Sequence, residues 1–575
     1  MPLDTATMRA AAASRFDLRA IAACGAATLL AGVVYLNALH NPFVYDDYHT
    51  VVANTSIQRV ANIRAIVLHD VTRPIVNLSY AIDHALWGAT PLGFHVTNVL
   101  LHMLNVVLLY RLARRLAESR HADLLACATA MLFAVHPMMT EAVGYISGRS
   151  EVLCATWFLV GLLCGRRWMR GDCAIWAMLT VVFWVAALAT KETAAMFPFV
   201  LFACDRLTGD PSITRQNAPA DDTPRSVSEK YEHAPSRPAP PAKNASNSQV
   251  VPREARLLGA REALLKRAPS AKASAERLQE STADSRRRFL TIHLPMMAAA
   301  VAAGVVRLAV LRFEYPGQVS VHLRYVLLDL DVARRYVWLL LHPTGQALFH
   351  EVAAIDSVSE PRALLAVGST GLMMAIAWRL RRVEPVASFG IVWFLLLLVP
   401  AAALNVLDQG EPMAEHRVYL ASGGFFLAAG AGIGRLGAWL AHARARTRWL
   451  GGAAFALVLV SFGVQTLIRN AVWADPVTLW RESVDLAPNH YRPRLLLGEA
   501  LQEAGRREEA IEQYKLAVRL RPTDVTGYLK LGACLTEMGR FDQARQYLLQ
   551  AIGLDPHNVS ARRTLGLLEA IGPAK

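Results

Sequence analysis

Two adjacent carboxylates, Asp46 and Asp47, stand a few residues past the first long apolar stretch of the chain, in Asn41-Pro-Phe-Val-Tyr-Asp-Asp-Tyr48. An acidic pair at the mouth of a membrane helix is costly unless water or a ligand meets it. That placement suits a general base working at one face of a membrane on a co-substrate held in the lipid. The plain alternative is a solvated loop closed by an Asx-turn.

Further polar groups recur beside apolar runs. Arg73-Pro74, Asp83 and His84 follow in the same loop, and His95, Asn98 and His102 are spaced by three and four, which puts them on one helix face. A lone His on such a face is more often a packing residue, but three polar groups at membrane depth are costly unless used. His136, Glu141, Arg149 and Glu151 crowd one tight turn, and Lys191-Glu192 occupies another. Arg307 lies near the end of an apolar run, where it either snorkels to headgroups or grips a lipid-linked phosphate, whose oxygens match a guanidinium. Glu415, His416 and Arg417 stand together at a helix entrance, a second candidate phosphate or sugar contact.

The elements that must position these groups are membrane spans. The chain has 575 residues, 54% hydrophobic and only 18% charged, against about 25% charged in a soluble domain. The apolar runs predict about eleven spans, at 18–39, 95–117, 122–138, 150–165, 173–190, 192–205, 289–309, 362–378, 386–404, 419–438 and 449–468. The net charge of +14 would point to nucleic acid in a soluble protein, but here Lys and Arg cluster beside the apolar runs, as the positive-inside bias produces. Nucleic acid is therefore not an expected partner, whereas the lipid bilayer is. The seven cysteines show no CxxC or Cys/His spacing, so neither a disulfide framework nor a zinc site is indicated.

Arg111, Arg114 and Arg115, Arg166 to Arg170, Arg286 to Arg288, Arg379 to Arg382 and Arg444 to Arg448 all fall on one side if the N-terminus is cytoplasmic. The apolar segment 324–342 is then a re-entrant or surface-lying piece. The resulting domains are 1–206, a first membrane half with outer loop 40–93; 207–288, a Pro-, Ser- and charge-rich cytoplasmic linker expected to be disordered, with one basic amphipathic helix near 254–267; 289–468, a second half with outer loop 310–361; and 469–575, outside. Ala- and Arg-rich usage points to a bacterial inner membrane.

Residues 469–575 hold a repeat. Gly498 and Gly532, Leu497 and Leu531, Gly505 and Gly539, Ala510 and Ala544, and the series Pro488, Pro522 and Pro556 share a 34-residue period, the signature of tetratricopeptide helix pairs. Two repeats are expected at 490–523 and 524–557, with part of a third at Leu565-Gly566. Such a stack offers a groove for an extended or helical peptide.

Phe43-Val-Tyr-Asp-Asp47, Arg73-Pro74, His95-x-x-Asn98-x-x-x-His102, His136-Pro-x-x-Thr140-Glu-Ala-Val143 through Gly148-Arg149, Lys191-Glu192-Thr193 and Glu415-His-Arg-x-Tyr419-Leu resemble the transmembrane-and-tetratricopeptide (TMTC-type) O-mannosyltransferases and their bacterial relatives. The resemblance implies an all-α, GT-C-like polytopic bundle of about eleven spans followed by a tetratricopeptide α-solenoid. It implies a polyprenyl-phosphate-linked sugar as donor and transfer of mannose to Ser or Thr hydroxyls. The linker and the short repeat array depart from that pattern.

On this reading Asp46 or Asp47 deprotonates the incoming hydroxyl, which displaces the phosphate with inversion. Arg307, Arg417, Arg149 and His416 are the candidate phosphate contacts. His102, His136, Glu141, Lys191, Glu192, Glu415 and Tyr419 shape the pocket. The sequence indicates no particular cofactor. A divalent metal is compatible with paired Asp and a nearby His, although no full ligand set is visible. The rival readings are a membrane-anchored tetratricopeptide scaffold, which leaves the charges at the helix mouths unexplained, and a lipid-linked sugar transporter, which would need polar groups at both faces. Protease added to intact spheroplasts is expected to remove the region after residue 469; protection of that region overturns the orientation.

Overall fold

The computed structural model describes residues 5–117, 121–209, 283–314, 323–405 and 411–571, and among these every regular element is a helix. The expected linker and its amphipathic helix fall almost wholly outside the described residues. All eleven predicted spans coincide with helical segments, but six are long and apolar enough to cross a bilayer alone: Leu18–His40, Pro91–Leu116, Ile146–Met169, Ala283–Val310, Pro361–Leu380 and Ala445–Val472. Ile175–Leu188 and Pro385–Pro400 are shorter apolar helices. The helix Leu323–Leu341, expected as a re-entrant or surface piece, buries Leu327, Leu328, Val332, Tyr336, Leu339 and Leu340 on one face. Its Asp331 is held by Arg334, Arg335 and Arg362.

Proline punctuates these helices. Pro74, Pro91, Pro361 and Pro476 each occupy a first-turn position, where the missing N–H is no loss. Pro137 acts the other way. Helix Ala122–Val135 stops before it, His136 takes an extended conformation (φ −72°, ψ 128°), and the chain bends by 58° into Pro137–Gly144. The bend delivers Thr140–Gly144 and Ile146–Gly148 as a buried cap over the helices, carrying Glu141 and Ser147 inward.

Small residues set the closest helix approaches. Helix Tyr419–Leu440 meets Pro385–Asn405 where Gly424 faces Gly390: a Cβ on Gly424 would lie 2.5 Å from the Gly390 carbonyl oxygen. On its other side Gly430 sits 2.8 Å, by the same measure, from the Leu125 carbonyl oxygen. Where lipid removes most of the hydrophobic drive between helices, such backbone proximity lets dispersion hold them.

The tail forms helix pairs Tyr491–Glu503 with Arg507–Leu520 and Val525–Glu537 with Phe541–Leu554, then Val559–Ile571. The turn glycines Gly505 (φ 77°) and Gly539 (φ 71°) take left-handed conformations one period apart. Helix Pro476–Leu486 precedes the repeats and is capped by Asp475, which accepts from Val477 and Thr478 N–H. The apolar core of the tail does not end there. It runs through Trp480, Trp473, Phe349 and Leu348 to Tyr145 and Val44, so the repeats share a core with the loop that carries Asp46 and Asp47.

Gly424→Val is expected to lower the unfolding midpoint in detergent by the equivalent of about 1–3 kcal/mol or more, because backbone cannot give way to the added carbons. Gly432→Ala, a mid-helix neighbour with open space around it, should leave the midpoint unchanged or raise it by the equivalent of up to about 1 kcal/mol.

Candidate active site

The turn Phe43–Tyr48 is built around one unusual residue. Tyr45 has φ 51°, the only positive φ outside glycine among the described residues. A bulky side chain there costs on the order of 1–2 kcal/mol. Its ring lies edge-on to Phe349 (5.9 Å) and Trp480 (5.6 Å). The reversal sends the two following carboxylates in opposite directions. Asp47 is fully buried: Oδ1 accepts from Ser147 N–H (2.8 Å) and Ser147 Oγ (2.6 Å), and Oδ2 from Val44 N–H (3.1 Å). Burial pushes its carboxyl up to about 7, against the pull of the Ser147 and Val44 donors. Asp46 is exposed. Its backbone N–H donates to Tyr145 Oη (3.0 Å), while its carboxylate has no hydrogen bond or ion pair among the described residues.

A row of internal braces underlies this turn. Arg149 is fully buried; Nε donates to Asn98 Oδ1 (2.6 Å), Nη2 to the Phe94 carbonyl (2.7 Å), and Nη1 pairs with Asp83. Its guanidinium is thus engaged on three sides within the protein. The predicted face of helix Pro91–Leu116 is also turned inward. His95 Nε2 reaches the Asn41 carbonyl (3.1 Å), Asn98 donates to the Tyr145 carbonyl (3.1 Å), and His102 Nδ1 meets Tyr419 Oη (2.8 Å), which also accepts from Asn105 (3.1 Å). His136 Nε2 lies 3.0 Å from the Leu340 carbonyl oxygen, and its Nδ1 accepts from Met138 N–H (3.2 Å).

A second cluster joins the membrane halves. Glu141 accepts from the His416 N–H (3.0 Å) and contacts His416 Nδ1 at 2.5 Å. Glu415 accepts from Ala347 N–H (2.8 Å) and Gln346 Nε2 (3.0 Å) and meets His350 Nε2 at 2.9 Å. Arg417 donates to the Glu411 carbonyl (2.8 Å), and Arg492 of the first repeat lies 3.8 Å from the Glu411 carboxylate. Burial pushes the half-buried Glu411 carboxyl up to about 7; Arg492 and Arg417 pull it down, and Glu141 and Asp46 push it further up. Glu411 is thus in contact with two arginines, Arg417 at its carbonyl and Arg492 at its carboxylate.

Lys191 pairs with buried Glu151 (2.8 Å), and Arg73 with Glu192 (3.3 Å). Arg73 also lines a polar cleft of about 310 Å³ with His49, His69, Asp70, Ser147 and Ser150, so the serine that holds Asp47 faces this cleft too. Arg307 is exposed on helix Leu294–Glu314 and joins none of these contacts among the described residues. No group of three or more His, Cys, Asp or Glu is arranged to hold a metal ion among the described residues.

Ser147, Gln346, His350, Glu411 and Arg492 belong to this region without having been singled out from the sequence. Ser147 lies inside a turn already marked by charge. The others sit in irregular loops or a repeat helix, where no periodicity distinguishes them.

A family profile for the tetratricopeptide repeat matches residues 491–524 and 525–558. The chain is 25% identical to protein O-mannosyl-transferase TMTC1 of Mus musculus over 86% of its own length and 58% of the mouse protein. For the Homo sapiens TMTC1 protein the figures are 25%, 87% and 55%. For Tmtc1 of Drosophila melanogaster they are 28%, 86% and 61%. These are homologues of the chain, which spans less than two thirds of their length. With its several long apolar helices, the chain is a multi-pass membrane protein.

The two aspartates should separate by stability. Asp47→Asn places an amide N–H₂ against N–H or O–H donors and is expected to cost about 1–3 kcal/mol, whereas Asp46→Asn should shift the unfolding free energy by less than about 0.5 kcal/mol. Thermal or denaturant unfolding in detergent reads both.

Proposed function

We propose that this chain is a membrane glycosyltransferase that moves a hexose, mannose by analogy with the named activity of its homologues, from a polyprenyl-phosphate donor to Ser or Thr hydroxyls of proteins. The observation that carries this reading is the exposed Asp46 carboxylate, which among the described residues has no hydrogen bond or ion pair and directly follows the strained Tyr45, whose ring stands 5.9 Å from the Arg492 guanidinium. A general base must be reachable by the acceptor hydroxyl: the Asp46 carboxylate is exposed, whereas Asp47 is fully buried and already accepts three hydrogen bonds.

In the proposed reaction Asp46 takes the proton as the acceptor oxygen attacks the anomeric carbon. The bond from that carbon to the phosphate oxygen breaks on the opposite face, giving inversion. Arg417 is the phosphate contact we favour, since guanidinium fits phosphate oxygens and its hydrogen-bond partner among the described residues is a backbone carbonyl, that of Glu411, which leaves donors for a ligand. Arg149 is better read as a brace, because its donors are engaged internally. Arg307 is better read as a headgroup contact. His102, His136 and Tyr419 brace the helices through internal hydrogen bonds, and Glu141 with His416 and Glu415 with Ala347 link one part of the chain to another. The loop 40–93 and the repeats face the extracytoplasmic side in this proposal, where acceptor proteins meet the array.

Asp46→Asn is expected to reduce hexose transfer from a polyprenyl-phosphate sugar to an acceptor peptide by about 10²-fold or more while the protein still inserts. The measurement is the hexose mass increment on Ser and Thr peptides. Undiminished transfer by this variant sinks the assignment of the base.

A further inference from the structure

The tail meets the catalytic turn directly, and this contact has a physical consequence. Tyr45 holds a left-handed backbone conformation that its side chain disfavours. Such a conformation persists only when surrounding packing enforces it, and three elements do so. Phe349 of the second large loop lies 5.9 Å from the Tyr45 ring, Trp480 of helix Pro476–Leu486 lies 5.6 Å away, and Phe349 and Trp480 are themselves 6.0 Å apart. The Arg492 guanidinium of the first repeat stands 5.9 Å from the same ring. Trp480 is buried at 4% exposure in the core that continues into the repeats. The tail is thus packed on the residue next to Asp46.

We propose that Tyr45, Phe349 and Trp480 are positioning residues: the aromatic triangle clamps the strained turn, and the helix that leads into the repeats thereby sets the direction of the Asp46 carboxylate. This rests on the reading of Asp46 as the base. Released from the triangle, Tyr45 would relax to negative φ, which rotates the following peptide and carries the Asp46 side chain away from its present direction. The amides of Asp47 and Tyr48, bonded to the Val44 and Tyr45 carbonyls (3.0 and 3.2 Å), would lose their partners in the same motion.

Two readouts on the full-length protein in detergent or nanodiscs test this. Trp480→Ala is expected to speed hydrogen exchange at the Asp47 and Tyr48 amides. It should lower kcat for transfer by about tenfold or more, up to the ~10²-fold that a small misplacement of a base can cost, with KM for the lipid donor changed less than about twofold. Trp480→Phe and Tyr45→Phe, which keep the rings, should restore both readouts. Tyr45→Gly tolerates the left-handed backbone and so guards against misfolding; it should still lower kcat because the clamp has nothing to grip. Unchanged exchange and kcat in Trp480→Ala, or no recovery with Trp480→Phe, overturns the positioning role. Faster exchange in Trp480→Ala alongside a wild-type chain with no transfer supports the clamp and overturns the transferase reading instead.

Discussion

The hydrogen bonds from Ser147 to Asp47 are the constraint on which the loop-bearing end of the molecule depends. They join a turn at the mouth of the first helix to a cap one hundred residues later. A carboxylate with no exposed surface must have its lone pairs satisfied, since an unsatisfied buried charge costs several kcal/mol. Ser147 supplies two donors because Pro137 bends the chain and folds residues 140–148 inward. Once Asp47 is held there, the reversal at Tyr45 leaves Asp46 on the other side of the turn.

The same logic recurs in the bundle. Arg149 with Asp83 and Lys191 with Glu151 are ion pairs with almost no exposure. Removing either partner of such a pair is costly, while the intact pair adds little net stability. Their value is geometric. Each ties a helix terminus or loop to the bundle at one register. The aromatic contacts from Phe349 and Trp480 extend that framework into the tail, so the repeats and the bundle share an apolar core.

Much of this was legible beforehand. Apolar runs foretold where helices form, because side chains facing lipid must be apolar over a fixed length. The 34-residue period foretold the helix pairs, because each repeat buries its face on the next. The doublet Asp46-Asp47, the His95/Asn98/His102 face and the charged turn at 136–151 all drew notice through residue type. Their partners did not. Residue type marks Arg149 and His416 as candidate phosphate contacts; only the fold brings Asn98 and Asp83 to Arg149 across 51 and 66 residues, and Glu141 to His416 across 275. The number of spans likewise stayed ambiguous, because several apolar helices fall short of a full crossing.

By itself the sequence determined the helical class, the repeat array and the list of polar residues too costly to leave in lipid without a purpose. Those properties follow from local periodicity and from solvent chemistry, which act over a few turns of chain. Only the tertiary structure decided which of two adjacent aspartates is buried and which is exposed. That choice is made by the strained φ of Tyr45 and by packing against Phe349, Trp480 and Ser147, residues distant in sequence whose approach no local pattern encodes.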